Sequence, residues 1–158
     1  MNFPEFPADT LRLLPCWEAY VDIAPTQVNG PGPYGVRNVV PITGGTFKGT
    51  LAPESDAPVP FEGVVLPGGF DLQRERPDGP KELEAIYHMQ ASDGSVIEIR
   101  NLALLTYDAD RKIQYSRSRI FVEAPEGPCS WLNQRVFVGS VQAVKPQEQV
   151  LIRSFVVV

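Results

Sequence analysis

The sequence predicts an all-β protein, either an antiparallel sandwich or an antiparallel barrel. Short runs rich in β-branched and aromatic residues alternate with turn motifs at a spacing of roughly ten residues. The 16 prolines and 13 glycines divide the 158 residues into these short pieces. The length suits a single domain over residues 1–158.

The expected strands follow from the runs between these breaks. In chain order they are Trp17–Ile23, Arg37–Ile42, Gly45–Leu51, Phe61–Leu66, Phe70–Arg74, Lys81–Gln90, Ser95–Leu105, Arg119–Val122, Ser130–Val144 and Val150–Val158. Asp93-Gly94 favours a type I′ turn between two of them. Gly44-Gly45 is expected at a strand entry or a tight barrel corner.

The remaining segments are expected to be irregular. Residues 1–16 form an N-terminal arm, with at most a turn or two of helix between residues 7 and 17 because Pro15 would end it. The Pro-rich segment 52–60 is expected to be an exposed loop. The apolar C-terminal run closes the barrel or joins a homodimer interface, since an uncovered apolar edge favours association.

Composition excludes several classes of function. The balance of 14 basic and 19 acidic residues, net −5, without a Lys/Arg cluster argues against nucleic-acid binding. No apolar run approaches the ~20 residues that a membrane-spanning helix needs, and no secretion signal is evident, so a cytoplasmic protein is expected. Cys16 and Cys129 could form one disulfide, but a cytosolic compartment favours free thiols. One histidine makes a zinc site improbable, and no metal or other cofactor is expected.

A row of polar residues follows the break at Pro67-Gly68-Gly69. Asp71, Gln73 and Glu75 alternate with Phe70 and Leu72, so one face of this strand is polar. The glycines would let the backbone bulge and re-aim Asp71. Several other strands also combine an aliphatic face with a mixed polar and aromatic face. The mixed faces are either solvated or line a lumen that holds a ligand, and alternation alone favours solvation.

Several motifs resemble the family known as domain of unknown function 3237. They are "VPITGGTFKG" (40–49), "GVVLPGGFDLQ" (63–73), "RPDG" (76–79), "ELEAIY" (82–87), "IRN" (99–101) and "WLNQRVFVG" (131–139). The resemblance implies a closed or nearly closed antiparallel barrel. The expected fold is therefore an up-and-down β-barrel of about eight to ten strands, lipocalin-like in general shape, and the resemblance also gives weight to a ligand in the lumen. It carries no settled reaction. Residues matching the family's signature are Asp71, Gln73, Glu84, Arg100, Asn101, Trp131 and Asn133.

The sequence departs from the family pattern at three places. Ile86 replaces the usual arginine, Ala103 replaces the usual glycine, and Ser118-Arg119-Ile120 replaces a Thr-x-Pro. If the arginine held a substrate carboxylate, that contact is lost here. The departures indicate a specialised member with a more apolar ligand.

The candidate site residues divide by role. Asp71 is the candidate general acid or base, because burial would raise its pKa; a brace for the bend is the alternative. Glu84 and Arg100 form a second polar pair, catalytic if enclosed and a cross-strand ion pair if exposed. The candidate substrate-binding residues are Gln73, His88, Asn101, Trp131 and Asn133.

The hypothesis is a cofactor-independent enzyme of small-molecule, including secondary, metabolism. It would isomerise or cyclise an apolar oxygenated substrate in the lumen by acid–base catalysis. The alternatives are a non-catalytic barrel that carries or senses a hydrophobic metabolite, and a structural module whose polar face meets water or a second subunit.

Overall fold

The computed structural model describes Pro4 and residues 10–158 and confirms the all-β prediction. Its strands, in chain order, are β1 (Leu13–Ile23), β2 (Gln27–Gly32), β3 (Gly35–Leu51), β4 (Val59–Val65), β5 (Phe70–Glu75), β6 (Lys81–Ala91), β7 (Val96–Tyr107), β8 (Ile113–Glu123), β9 (Phe137–Lys145) and β10 (Gln149–Val157). A 3₁₀ helix, Ser130–Gln134, lies between β8 and β9. Within the described chain no helix is both long and apolar enough to cross a membrane.

The sheet closes into a barrel because β1 pairs with both β10 and β3. From β6 to β10 each strand pairs with the next one in the sequence. β4 and β5 occupy successive parts of the gap between β3 and β6, so they share one position. The closed barrel thus has eight strand positions, and β2 extends the sheet at the free edge of β3.

The two runs expected around Gly44-Gly45 form one long bent strand, β3. Gly45 has φ +138°, and a Cβ there would lie 2.1 Å from the carbonyl oxygen of Tyr20 on β1. Only glycine permits this close approach. Across the bend the inward face moves from even positions, such as Ile42, to odd positions, such as Phe47.

The interior differs between the two ends of the barrel. Near the start of β1, Trp17 packs against Phe137 with ring centroids 5.1 Å apart, and Phe47 packs against Phe61 at 5.3 Å. These four buried rings define the aromatic end. Near the end of β1 the inner side chains are mostly aliphatic and leave a small cavity, which defines the cavity end.

The N-terminal segment joins the sheet earlier than expected. β1 begins at Leu13, and Cys16 is buried, with its thiol donating to the carbonyl oxygen of Thr50 at 3.3 Å. Residues 10–17 contain no helix, because the backbone N–H of Arg12 and strand β1 pair with the C-terminal strand. The rest of the expected helical segment, residues 7–9, lies outside the described residues. Both cysteines are free and buried.

The turn at Asp93-Gly94 is not the type I′ turn expected from the sequence. Gly94 has φ +90°, whereas Asp93 has no positive φ, and type I′ requires both. The N–H of Gly94 instead donates to Ala91 at 2.9 Å, in a loop of three residues, 92–94. The Asp93 carboxylate accepts from the N–H of Ser95 and stabilises that loop.

The loop and the C-terminal strand lie close to their expected places. Residues 52–58 form turns and bends, exposed from Glu54 onward, and the last two residues of the expected loop begin β4. β10 pairs with both β1 and β9. The apolar C-terminal run is therefore the closing strand and presents no uncovered edge.

Candidate functional site

The polar row on β5 turns toward the barrel interior. Asp71 lines the cavity, and Gln73 beside it is half-buried, whereas Phe70 and Leu72 are 38% and 44% exposed. This is the reverse of an ordinary sheet over a core, where apolar side chains point inward. The orientation follows from pairing, since Asp71 lies opposite Val40 and Ala85, both inward-facing.

The cavity has a volume of about 40 Å³ and a mostly aliphatic wall. A buried water needs ~10–15 Å³, so the space suits a group of only a few atoms. The lining residues are Val21, Ile23, Val40, Ile42, Asp71, Leu83, Ala85, Tyr87, Asn101, Ala103, Val141, Val150 and Ile152.

Three polar residues meet at this cavity because of strand register. Ala85 on β6 lies between Asp71 on β5 and Asn101 on β7. Neighbouring strands are ~4.8 Å apart, which places the Asp71 and Asn101 backbones about 10 Å apart. The methyl group of Ala85 leaves the space between them open. Tyr87 follows on the same face of β6.

Each of these three residues has an enclosed oxygen without a hydrogen bond. The atoms are Asp71 Oδ1, Asn101 Oδ1 and the Tyr87 hydroxyl, and none has a partner among the described residues. Tyr87 and Asn101 are 1% and 2% exposed. An unpaired buried polar atom costs about 1–3 kcal/mol. Three of them around one cavity leave unused hydrogen-bonding capacity at its wall.

The protonation of Asp71 is set mainly by burial, which raises the pKa of its carboxyl group. A hydrogen bond from Gln73 Nε2 to Asp71 Oδ2 at 2.7 Å, the charge of Lys81 and a backbone hydrogen bond at Glu84 act in the opposite direction, in decreasing order. The net pKa is raised, so the carboxyl group exchanges its proton closer to neutral pH than an exposed aspartate does.

The hydroxyl of Tyr87 is suited to donate a hydrogen bond rather than to ionise. Complete burial raises the pKa of Tyr87 well above its usual value. The phenol therefore stays protonated at physiological pH.

The inner face of β5 continues as a polar track from the cavity toward its exposed end. After Gln73 comes Glu75, whose carboxylate accepts from Asn38 Nδ2 at 3.5 Å and lies 3.9 Å from Lys81 Nζ. Glu75 is exposed and Asn38 is buried, so the track links solvent to the cavity end.

Three predicted site residues lie outside the barrel, and this corrects their assignment. Arg100 Nε donates to Glu84 Oε1 at 3.0 Å in an exposed cross-strand pair. His88 Nε2 lies 3.6 Å from Glu98 Oε2, also in an exposed pair. The physical reason is strand alternation, because Glu84 and His88 alternate along β6 with residues that point inward.

Trp131 and Asn133 are also not in the cavity wall. The expected strand from Ser130 begins with the 3₁₀ helix, and β9 starts only at Phe137. Asn133 Oδ1 accepts from the N–H of Ala124 at 2.7 Å, and Asn133 Nδ2 donates to the carbonyl of Ala124 at 2.8 Å. Trp131 packs edge-on against Phe137 with ring centroids 6.1 Å apart. Both residues support the loop after β8.

The residue that sequence reasoning missed is Tyr87. It lies on the otherwise apolar face of β6 with Leu83, Ala85 and Met89. Its hydroxyl group, on a face of the strand that otherwise packs in the core, is the feature by which the sequence could have identified it as a site residue. Within residues 10–158, no three His, Cys, Asp or Glu side chains lie close enough together to hold a metal ion.

The fold and the site together define a class of protein: a closed antiparallel barrel with a small, partly polar cavity inside one end. The chain belongs to the family described as Protein of unknown function (DUF3237), whose profile matches residues 11–157. A UPF0311 protein of Rhodopseudomonas palustris is 34% identical over 118 residues, covering 67% of this chain and 71% of the relative.

Solved structures share the fold. A conserved protein of unknown function from Rhodopseudomonas palustris has a TM-score of 0.79 at 30% identity, covering 94% of this chain and 99% of that one. A beta-barrel like protein from Acinetobacter baumannii has a TM-score of 0.78 at 24% identity, with 99% of each chain covered. An enzyme from Penicillium herquei has a TM-score of 0.71 at 19% identity, covering 100% of this chain and 99% of that one. The last two likenesses concern the fold alone.

Proposed function

We propose that the protein is a cofactor-independent enzyme that isomerises or cyclises a small, largely apolar, oxygen-bearing molecule at the cavity end of the barrel. Asp71 transfers the proton. The observation that carries the proposal is the enclosed Asp71 carboxyl group in an aliphatic cavity, beside two further buried polar groups without partners.

The physical chemistry of the cavity favours proton transfer over simple storage. A carrier of an apolar molecule gains from an aliphatic wall alone, and a buried carboxyl group reduces that gain. A carboxyl group with a raised pKa can take and return a proton near neutral pH. A barrel of this fold is described as an enzyme in Penicillium herquei, so catalysis is compatible with the architecture.

The cavity volume limits which part of the substrate is bound. With about 40 Å³ available, only the reacting group fits beside Asp71. The rest of a larger apolar substrate would have to contact the aliphatic side chains of the cavity wall. Side chains at that end would have to move for a bulky molecule to enter.

The first test uses ¹H–¹⁵N NMR to monitor the binding of small alcohols, ketones and phenols, which serve as probes. We expect saturable shifts of the amides around Ala85 and Asn101. Ala85→Leu adds three carbon atoms to the cavity and should remove binding. Ile86→Leu, on the outer face of the same strand, is the matched control and should bind as the wild type does.

The second test separates an enzyme from a carrier. Bound probes are incubated in D₂O with the wild type and with Asp71→Asn. An enzyme incorporates solvent deuterium or converts the probe, and Asp71→Asn loses this activity while still binding. Binding without Asp71-dependent exchange or conversion would identify a carrier, and absence of cavity binding would overturn the proposal altogether.

A further inference from the structure

We infer that the reacting group of the substrate is a carbonyl, whose oxygen is bound by the Tyr87 hydroxyl and the side-chain amide of Asn101 while Asp71 moves a proton at the adjacent carbon. The inference rests on the proposed function and adds to it a substrate class and two catalytic residues.

The positions of the three residues support this division of roles. Asp71 and Asn101 lie on either side of Ala85, and Tyr87 lies two residues further along the same inward face. A planar carbonyl compound placed over the Ala85 methyl group has one edge toward Asp71. Its other edge faces the strand that carries Asn101.

Tyr87 and Asn101 can both donate hydrogen bonds to an oxygen. The phenol of Tyr87 has one O–H, and its oxygen has no partner among the described residues. The Asn101 amide presents its unpaired Oδ1 to the interior and, after a half-turn about its last side-chain bond, presents its NH₂ group instead. Donors fixed in a dry site stabilise charge that develops on a substrate oxygen.

The reaction step balances without a cofactor. The Asp71 carboxylate takes a proton from the carbon next to the carbonyl, and the C–H bonding pair becomes a C=C bond. The carbonyl π pair moves to the oxygen, where Tyr87 and Asn101 stabilise the enolate. Protonated Asp71 can trade its proton with solvent and then protonate the same carbon, which gives isotope exchange. Alternatively, it returns the proton to another carbon of a conjugated system, which gives isomerisation.

A cationic amine is the competing class of ligand, because the three unpaired oxygens could accept from an ammonium group. Lys81 acts on Asp71 but also lies 3.9 Å from the Glu75 carboxylate, so the binding of an amine has to be measured against that of a ketone.

The test uses ¹H NMR in D₂O to measure deuterium exchange at the carbon next to the carbonyl. The probes are acetone, butanone and cyclopentanone. We expect catalysed exchange of a ketone that binds. Tyr87→Phe should lower the exchange rate at least about tenfold, and Asp71→Asn at least about a hundredfold. Tyr115→Phe changes an exposed tyrosine on β8 and should leave the rate unchanged.

The readouts keep the two proposals apart. If ketones bind in the cavity but are not exchanged, or if Tyr87→Phe leaves the rate unchanged, the carbonyl inference is overturned while lumen binding stands. Tighter binding of cyclopentylamine than of cyclopentanone would also overturn it. Failure of every probe to bind, in wild type and variants alike, overturns the proposed function itself. Thermal unfolding of Tyr87→Phe separates a lost donor from a lost fold.

Discussion

The carboxyl group of Asp71 lies in the barrel wall at a cost to stability, because burial disfavours its charged form. Its folded-state pKa is raised above the ordinary 3.8, so between these two values the folded protein holds more protons than the unfolded chain. Stability therefore falls as the pH rises from about 3.8 through the folded-state pKa. Enzymes commonly retain such groups at sites where the shifted pKa is used.

This loss of stability with rising pH gives a prediction for Asp71→Asn. Asparagine keeps an oxygen to accept the hydrogen bond from Gln73 and carries no charge. We expect the variant to have a higher melting temperature than the wild type at pH 7 to 8, and the difference to vanish below about pH 3.8. Thermal unfolding followed by circular dichroism between pH 3 and pH 8 measures this.

The matched control for that prediction is Glu84→Gln. Its carboxylate is in an exposed pair with Arg100, so its loss should change the free energy of unfolding by less than about 1 kcal/mol and should not stabilise the protein. A melting temperature of Asp71→Asn below that of the wild type at every pH would contradict the burial argument.

Side-chain direction could be predicted for β6 and β7 but not for β5. The alternation that groups Asn101 with Ile97 and Ile99 is present in the sequence, and the structure buries all three. On β5 the same alternation allows either face inward. The choice was made by pairing with β3 and β6, which the sequence of β5 alone does not contain.

At the scale of the elements, the alternation of residues predicted a strand from Ser130, whereas the structure has the 3₁₀ helix Ser130–Gln134 there. Its alternating residues fit a strand equally well. In this helix the Asn133 side chain takes the place of a strand partner for Ala124 and bonds both its N–H and its carbonyl. Side-chain bonds of this kind compete with strand pairing and leave no trace in periodicity.

Asn133→Ala tests this role. Ala124 is buried, so losing both hydrogen bonds leaves a donor and an acceptor unpaired, and we expect the free energy of unfolding to fall by about 1–3 kcal/mol. Urea unfolding measures it, with Gln134→Ala, an exposed neighbour, as the control that should be nearly neutral. If Asn133→Ala instead removed probe binding without destabilising the protein, the binding role expected from the sequence would be restored.

The barrel as a whole has two interior regions: the aromatic end, which stabilises the fold, and the cavity end, where we propose the chemistry takes place. Closure was predictable only through the family resemblance, because turn spacing alone allows a sandwich as well as a barrel. Which groups lie inside could not be predicted, because Gly44-Gly45 switches the inward face of β3 and because β5 takes its orientation from pairing with β3 and β6. Both are long-range consequences of fitting bent strands into one closed sheet.

This division predicts opposite effects for substitutions at the two ends. Phe137→Leu, at the aromatic end, removes ring contacts with Trp17 and Trp131 and should lower the free energy of unfolding by about 1–3 kcal/mol. Probe affinity should stay within about twofold, since the cavity wall contains none of these rings. Ala85→Leu, at the cavity end, should remove probe binding while costing less stability, because its added carbons enter existing space.

Urea unfolding and NMR titration on the same two variants measure both quantities. The two regions act independently if Phe137→Leu lowers stability without changing probe affinity and Ala85→Leu removes probe binding at a smaller cost in stability. Coupled losses in both variants would mean that the cavity depends on packing throughout the barrel. The raised pKa of Asp71 would then also be expected to change in Phe137→Leu, which ¹³C NMR of the labelled carboxyl group detects.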